Sequence, residues 1–131
     1  QKDQGIRHLL NFGHTIGHAI ELASHYSLPH GHAVLMGMEI ESALACNLGY
    51  LSSDEYRLFI DVLKPLHSCF GECKPEWLNQ MHEPLSLDKK GSSCYVLLTS
   101  IGSAFEKNGH YSHYVDYEIV QEHLNCYFAA C

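Results

Sequence analysis

The sequence predicts a mainly α-helical domain carrying one small β-hairpin. Three observations support that class. Long proline-free stretches place apolar residues at helical spacing, turn signals such as SLPHG separate them, and one β-like apolar run, CYVLLTSIGSAF, lies near the C-terminus. The first helix is expected from Arg7 to about His25, where helix formers continue until SLPHG. A second starts near Gly31 or His32 and runs through AVLMGMEIESALACNLG, with Gly49 placed to end it in the left-handed conformation. Ser53, Asp54 and Glu55 open a third helix over YRLFIDVLKPL that stops near Pro65. PEWLNQM reads as a short fourth helix with proline in its first turn. After the polar SLDKKGSS comes a strand, a turn at Gly102 and a second strand. The last helix begins after Asp116 and covers YEIVQEHLNCYF.

With 131 residues, 46% of them hydrophobic and 18% charged, the chain suits one globular domain or one piece of a larger protein. It enters a helix rich in polar side chains within seven residues of its first position, so a piece of a longer enzyme is the expectation. No Gly-rich stretch follows a strand and opens a helix, so no dinucleotide fingerprint is present. The formal charge of −7, with only eight Lys and Arg, argues against a nucleic-acid partner. No apolar run has membrane-spanning length, and QKDQGIRHLL lacks the layout of a signal peptide, so a cytoplasmic location without membrane contact is expected. Six cysteines without a CxxC pair read as reduced thiols rather than a disulfide framework.

Histidine is the unusual residue. There are eleven, five of them between His14 and His32. On a continuous helix, positions 7, 11, 14 and 18 fall within about 60° of one another, so Arg7, Asn11, His14 and His18 form one polar stripe. Gly13 and Gly17 beside it each cost about 1 kcal/mol of helix propensity relative to alanine, which suggests close approach of a ligand or a neighbouring helix. Arginine recognises carboxylate or phosphate, asparagine offers an amide donor, and imidazole binds zinc or carries a proton near neutral pH. From spacing alone, His14 and His18 are either two ligands of one metal ion or two half-buried histidines. The pair lacks the intervening glutamate of HExxH, so a peptidase is a poor fit. PHGHAV adds His30 and His32 at the turn into the second helix, and an antiparallel helix pair brings His30 back beside His14. Glu39 and Glu41 face different sides of their helix and form no acid–base pair. The remaining histidines, Met36, Met38 and Trp77 read as surface or packing residues.

In combination, GIRHLLNFGHTIGHAIE, PHGHAVLMGM, NLGYL, LDKK, YVLLTSIGSA and VDYEIVQEHL resemble the C-terminal helical domain of the 3-dehydroquinate synthase family, within the sugar-phosphate cyclases. The resemblance implies that His14 and His30 are zinc ligands and that His18 instead contacts substrate as a proton-transfer or phosphate-binding residue. It further implies that Arg7 pairs with the substrate carboxylate, that Asn11 meets the phosphate region, and that Lys89 or Lys90 closes on the phosphate. The implied reaction converts 3-deoxy-D-arabino-heptulosonate 7-phosphate to 3-dehydroquinate and phosphate in the shikimate pathway, with NAD and zinc, in a homodimer. The third zinc ligand, a glutamate, and most of the NAD site would lie in an N-terminal α/β domain absent from this chain, so the 131 residues alone are expected to be inactive. His32 stands where the family usually carries glutamate. Three other readings fit the same residues less well: another sugar-phosphate cyclase, a metal-dependent polyol dehydrogenase, and a non-catalytic helical interaction module.

Overall fold

A computed structural model of the chain describes residues 11–67, 73–87, 94–100 and 102–130. The described residues form five helices, α1 (His14–Ala23), α2 (His30–Asn47), α3 (Ser53–His67), α4 (Trp77–Leu87) and α5 (Tyr117–Ala129), and four short strands, β1 (Cys94–Val96), β2 (Leu98–Ser100), β3 (Ser103–Ala104) and β4 (Ser112–Tyr114). The mainly helical class expected from sequence is the one observed. Among the described residues, no helix is long and apolar enough to cross a membrane.

The centre of the domain is α2, buried on nearly every face: Ala33, Met36, Ile40, Leu44 and Ala45 join the core, and the polar His32, Glu39, Glu41 and Ser42 are buried with them. Ile16 and Ile20 of α1, Met81 of α4, Tyr95 and Leu97 of the strand region, and Leu124 and Phe128 of α5 complete that core. Gly49, at φ 89°, ends α2 as expected. The Gly49 and Tyr50 N–H groups donate to the carbonyls of Cys46 and Ala45, the bonding pattern of a Schellman cap.

Helices α1 and α2 are antiparallel and nearly in backbone contact. Gly13 packs on Met38 and Val34, Gly17 on Ala33 and Val34, and Glu21 meets His30, so numbers rise along one helix as they fall along the other. A methyl group on Gly37 would fall 2.1 Å from the Gly13 carbonyl oxygen. Of the two explanations open for Gly13 and Gly17, the neighbouring helix is the one observed.

Several boundaries differ from expectation for identifiable reasons. Among the described residues the first helix begins at His14, where Gly13 at φ 81° breaks the helical path; the start expected at Arg7 lies outside the described residues. It ends at Ala23, where His25 and Tyr26 adopt positive φ and the Tyr26 N–H returns to the Glu21 carbonyl. Ser52 caps α3 by accepting the Glu55 N–H at 3.1 Å, so Ser53 lies inside the helix. Pro65 is accommodated within α3, which runs to His67 past the stop read from sequence, and α4 continues beyond PEWLNQM through Pro84. The single hairpin is two antiparallel ladders: β2 and β3 turn at Gly102, while β1 pairs with β4, Tyr95 opposite His113. The β4 segment, with few apolar residues, gave no alternating pattern to read. Cys46 and Cys126 are free thiols, but Cys73 is disulfide-bonded, which corrects the all-reduced reading; compartment reasoning carries no information on which sulfurs the fold brings together.

Candidate metal and substrate site

The start of α1 is built from the other helix. The carboxylate of Glu41, on α2, accepts the Gly13 N–H at 2.9 Å and the Ile16 N–H at 3.2 Å. Those are N–H groups that a helix start leaves without intrahelical partners, and Glu41 is fully buried among them. Burial pushes its carboxyl up to about 8, against the opposing pull of the two backbone N–H donors. Gly13 and Ile16 flank His14 on either side, so Glu41 fixes the backbone from which that imidazole projects.

His14 and His30 face one another with ring centroids 5.4 Å apart and planes at 56°. The His14 Nδ1–H donates to the Phe12 carbonyl at 3.2 Å, and the His30 Nδ1–H donates to Glu21 Oε2 at 3.0 Å. Carbonyl and carboxylate oxygens accept only, which places a proton on Nδ1 in both rings and, in the neutral imidazole, leaves the lone pair on Nε2. The two rings line a cleft of about 280 Å³ together with Gly31, Val34, Leu35 and Met38. Met38, expected in the core with Met36, is instead a wall of this cleft. The other carboxylate oxygen of Glu21 lies 3.8 Å from His18 Nδ1. His18 and His30 are mostly exposed, at 65% and 62%, whereas Glu21 between them is 11% exposed.

The expected site residues divide three ways. His14, His18 and His30 are gathered on the facing surfaces of α1 and α2. Asn11 is exposed and lies before the break at Gly13, so the proposed continuous stripe does not exist as a helix face, although His14 and His18 remain one turn apart on α1. Arg7, Lys89 and Lys90 lie outside the described residues. His32 is 1% exposed and sits about 200° around α2 from His30, inside the core rather than beside the cleft.

Two imidazoles with Nδ1 engaged and Nε2 left as the donor suit a divalent metal such as zinc. Among the described residues no group of three His, Cys, Asp or Glu that could hold a metal ion is present. Sequence reasoning missed Glu21 and Glu41. Glu21 stood in the quoted motif without a role, and Glu41 was considered only as a partner for Glu39. For Glu41 the available signal was two glutamates within the otherwise mostly apolar AVLMGMEIESALA.

A family model described as 3-dehydroquinate synthase C-terminal matches residues 1–91. The chain is 39% identical to the 3-dehydroquinate synthase of Pelotomaculum thermopropionicum over 113 residues, covering 83% of this chain and 30% of that protein. The corresponding Helicobacter pylori protein is 39% identical over 84% of this chain and 33% of its own length. The Chlamydia muridarum protein is 32% identical over 130 residues, covering 82% and 32%. The chain therefore spans about a third of the length of these relatives. A crystal structure of 2-deoxy-scyllo-inosose synthase complexed with carbaglucose-6-phosphate, NAD+ and Co2+ superposes with a TM-score of 0.73 at 20% identity, over 90% of this chain and 33% of that one. A second structure of that synthase gives 0.68 at 23%, over 87% and 30%. These two likenesses establish the shared fold.

Proposed function

The chain belongs to the 3-dehydroquinate synthase C-terminal family, and on that premise we propose that it forms the metal- and substrate-binding part of a longer cytoplasmic, homodimeric 3-dehydroquinate synthase. The reaction would convert 3-deoxy-D-arabino-heptulosonate 7-phosphate to 3-dehydroquinate and phosphate. The observation that carries the reading is the facing pair His14 and His30, each with Nδ1 bonded and Nε2 directed elsewhere.

In this reading His14 and His30 hold the zinc ion, and a third ligand and most of the NAD site come from the N-terminal α/β domain. When bound, zinc supplies Lewis-acid polarisation of the substrate oxygen and NAD accepts and returns a hydride. His18, exposed and standing off the His14–His30 pair, contacts substrate and moves a proton or binds phosphate. Asn11 reaches the phosphate region from the segment before Gly13, Arg7 pairs with the substrate carboxylate, and Lys89 or Lys90 closes over the phosphate. The buried Glu41 and Glu21 hold the histidine backbones and rings while substrate enters the cleft.

The test is phosphate release by the full-length protein supplied with the seven-carbon substrate, NAD and zinc. Turnover with this substrate and none with unbranched hexose 6-phosphates supports the synthase. The reverse pattern would assign a different sugar-phosphate cyclase to the same fold.

A further inference from the structure

We propose that Glu21 is a positioning residue for the metal site, holding His30 in the tautomer and orientation that present Nε2. The proposal rests on the reading of His30 as a metal ligand.

The geometry is asymmetric in a useful way. His30 is the first residue of α2, preceded by Pro29 in extended conformation, and its ring is mostly exposed. A ring in that position has wide rotational freedom and, as a free imidazole, access to both tautomers. Glu21 removes both freedoms with a single hydrogen bond of 3.0 Å from His30 Nδ1 to Oε2. The residue itself is 8% exposed and lies in the last turn of α1, where Ile20 and Ala23 are buried as well. A carboxylate fixed in the protein thus orients an imidazole that stands in solvent. The second oxygen lies 3.8 Å from His18 Nδ1, beyond hydrogen-bond distance, so the control falls on His30 alone.

Zinc affinity, measured by competition with a chromophoric chelator, and the 15N imidazole NMR signals of the metal-free full-length protein test the assignment together. Glu21→Leu is expected to weaken zinc binding by about 10–100-fold and to release His30 from the Nδ1–H tautomer. Glu21→Gln is expected to retain that tautomer, because its amide oxygen still accepts the bond, and to lose about 10-fold in affinity with the charge gone. A purely structural role for Glu21 would leave the tautomer of His30 unchanged in both variants. Wild-type zinc affinity in Glu21→Leu, or in Glu21→Gln alone where the leucine variant fails to fold, overturns the proposal while His30→Ala still loses the metal. Retention of zinc by both His14→Ala and His30→Ala would instead overturn the metal reading, and the proposal with it.

Discussion

Glu41→Gln separates the two effects that compete at the start of α1. The wild-type carboxyl titrates near 4.5 in an unfolded chain and near 8 in the fold, raised by burial. Below 4.5 both states hold the proton and the contribution is complete. Between 4.5 and 8 the unfolded chain releases its proton while the folded chain keeps it, so stability falls as pH rises; above 8 the contribution is constant. At about 1.4 kcal/mol per pH unit across that gap, the loss amounts to about 5 kcal/mol as an upper value. Glutamine cannot ionise, so this slope disappears. Its single carbonyl oxygen serves either the Gly13 or the Ile16 N–H, and leaving the other unmet costs about 1–3 kcal/mol. Wild type should therefore be the more stable protein at pH 5 and should lose that advantage by pH 8, the two curves crossing between. Urea denaturation followed by circular dichroism at pH 5, 6, 7 and 8 measures both proteins side by side, and the histidines common to them cancel in the difference. Tyr95, which packs near Glu41, stays neutral throughout because burial, with a smaller contribution from Glu41 itself, raises its phenol. A difference in stability that is the same at all four pH values would refute the argument that a buried, proton-binding Glu41 organises this helix start.

Two further outcomes follow from the same geometry. Gly37→Ala sets a methyl group against the Gly13 carbonyl, and backbone does not rotate away as a side chain would; a loss of about 1–3 kcal/mol or more in thermal or urea unfolding is expected, and an unchanged midpoint would show that the helices separate freely. In the full-length protein, His14→Ala should abolish metal retention through gel filtration while His18→Ala keeps its zinc and loses turnover; equal metal loss would make His14 and His18 the two-ligand clasp that their spacing also allows.

The helical class, the order of elements, the cap at Gly49 and the antiparallel return of His30 to His14 were all legible, because each depends on local pattern. What escaped was set by contacts between elements. Gly13 could not be seen to break the first helix, since its left-handed backbone is stabilised by Glu41, twenty-eight positions away. Pairing of Tyr95 with His113 across a long loop left no mark on either segment. Glu21 looked like an ordinary helix residue until the position of His30 was known. Three of the site residues read from sequence, Arg7, Lys89 and Lys90, fall outside the described residues, so their roles rest on the family resemblance.

The contact of Gly13 and Gly17 with the backbone of α2 has a thermodynamic side. Where two helices touch through main chain, no side-chain torsion lies between them to be frozen, and the interval separating the bases of His14 and His30 has few soft modes. A metal ion arriving between those rings would then find them already restricted, with little disorder left to surrender on binding. Gly17 gives up helix propensity within α1, Gly13 supplies the left-handed residue ahead of it, and the return is a narrow gap between the two helices.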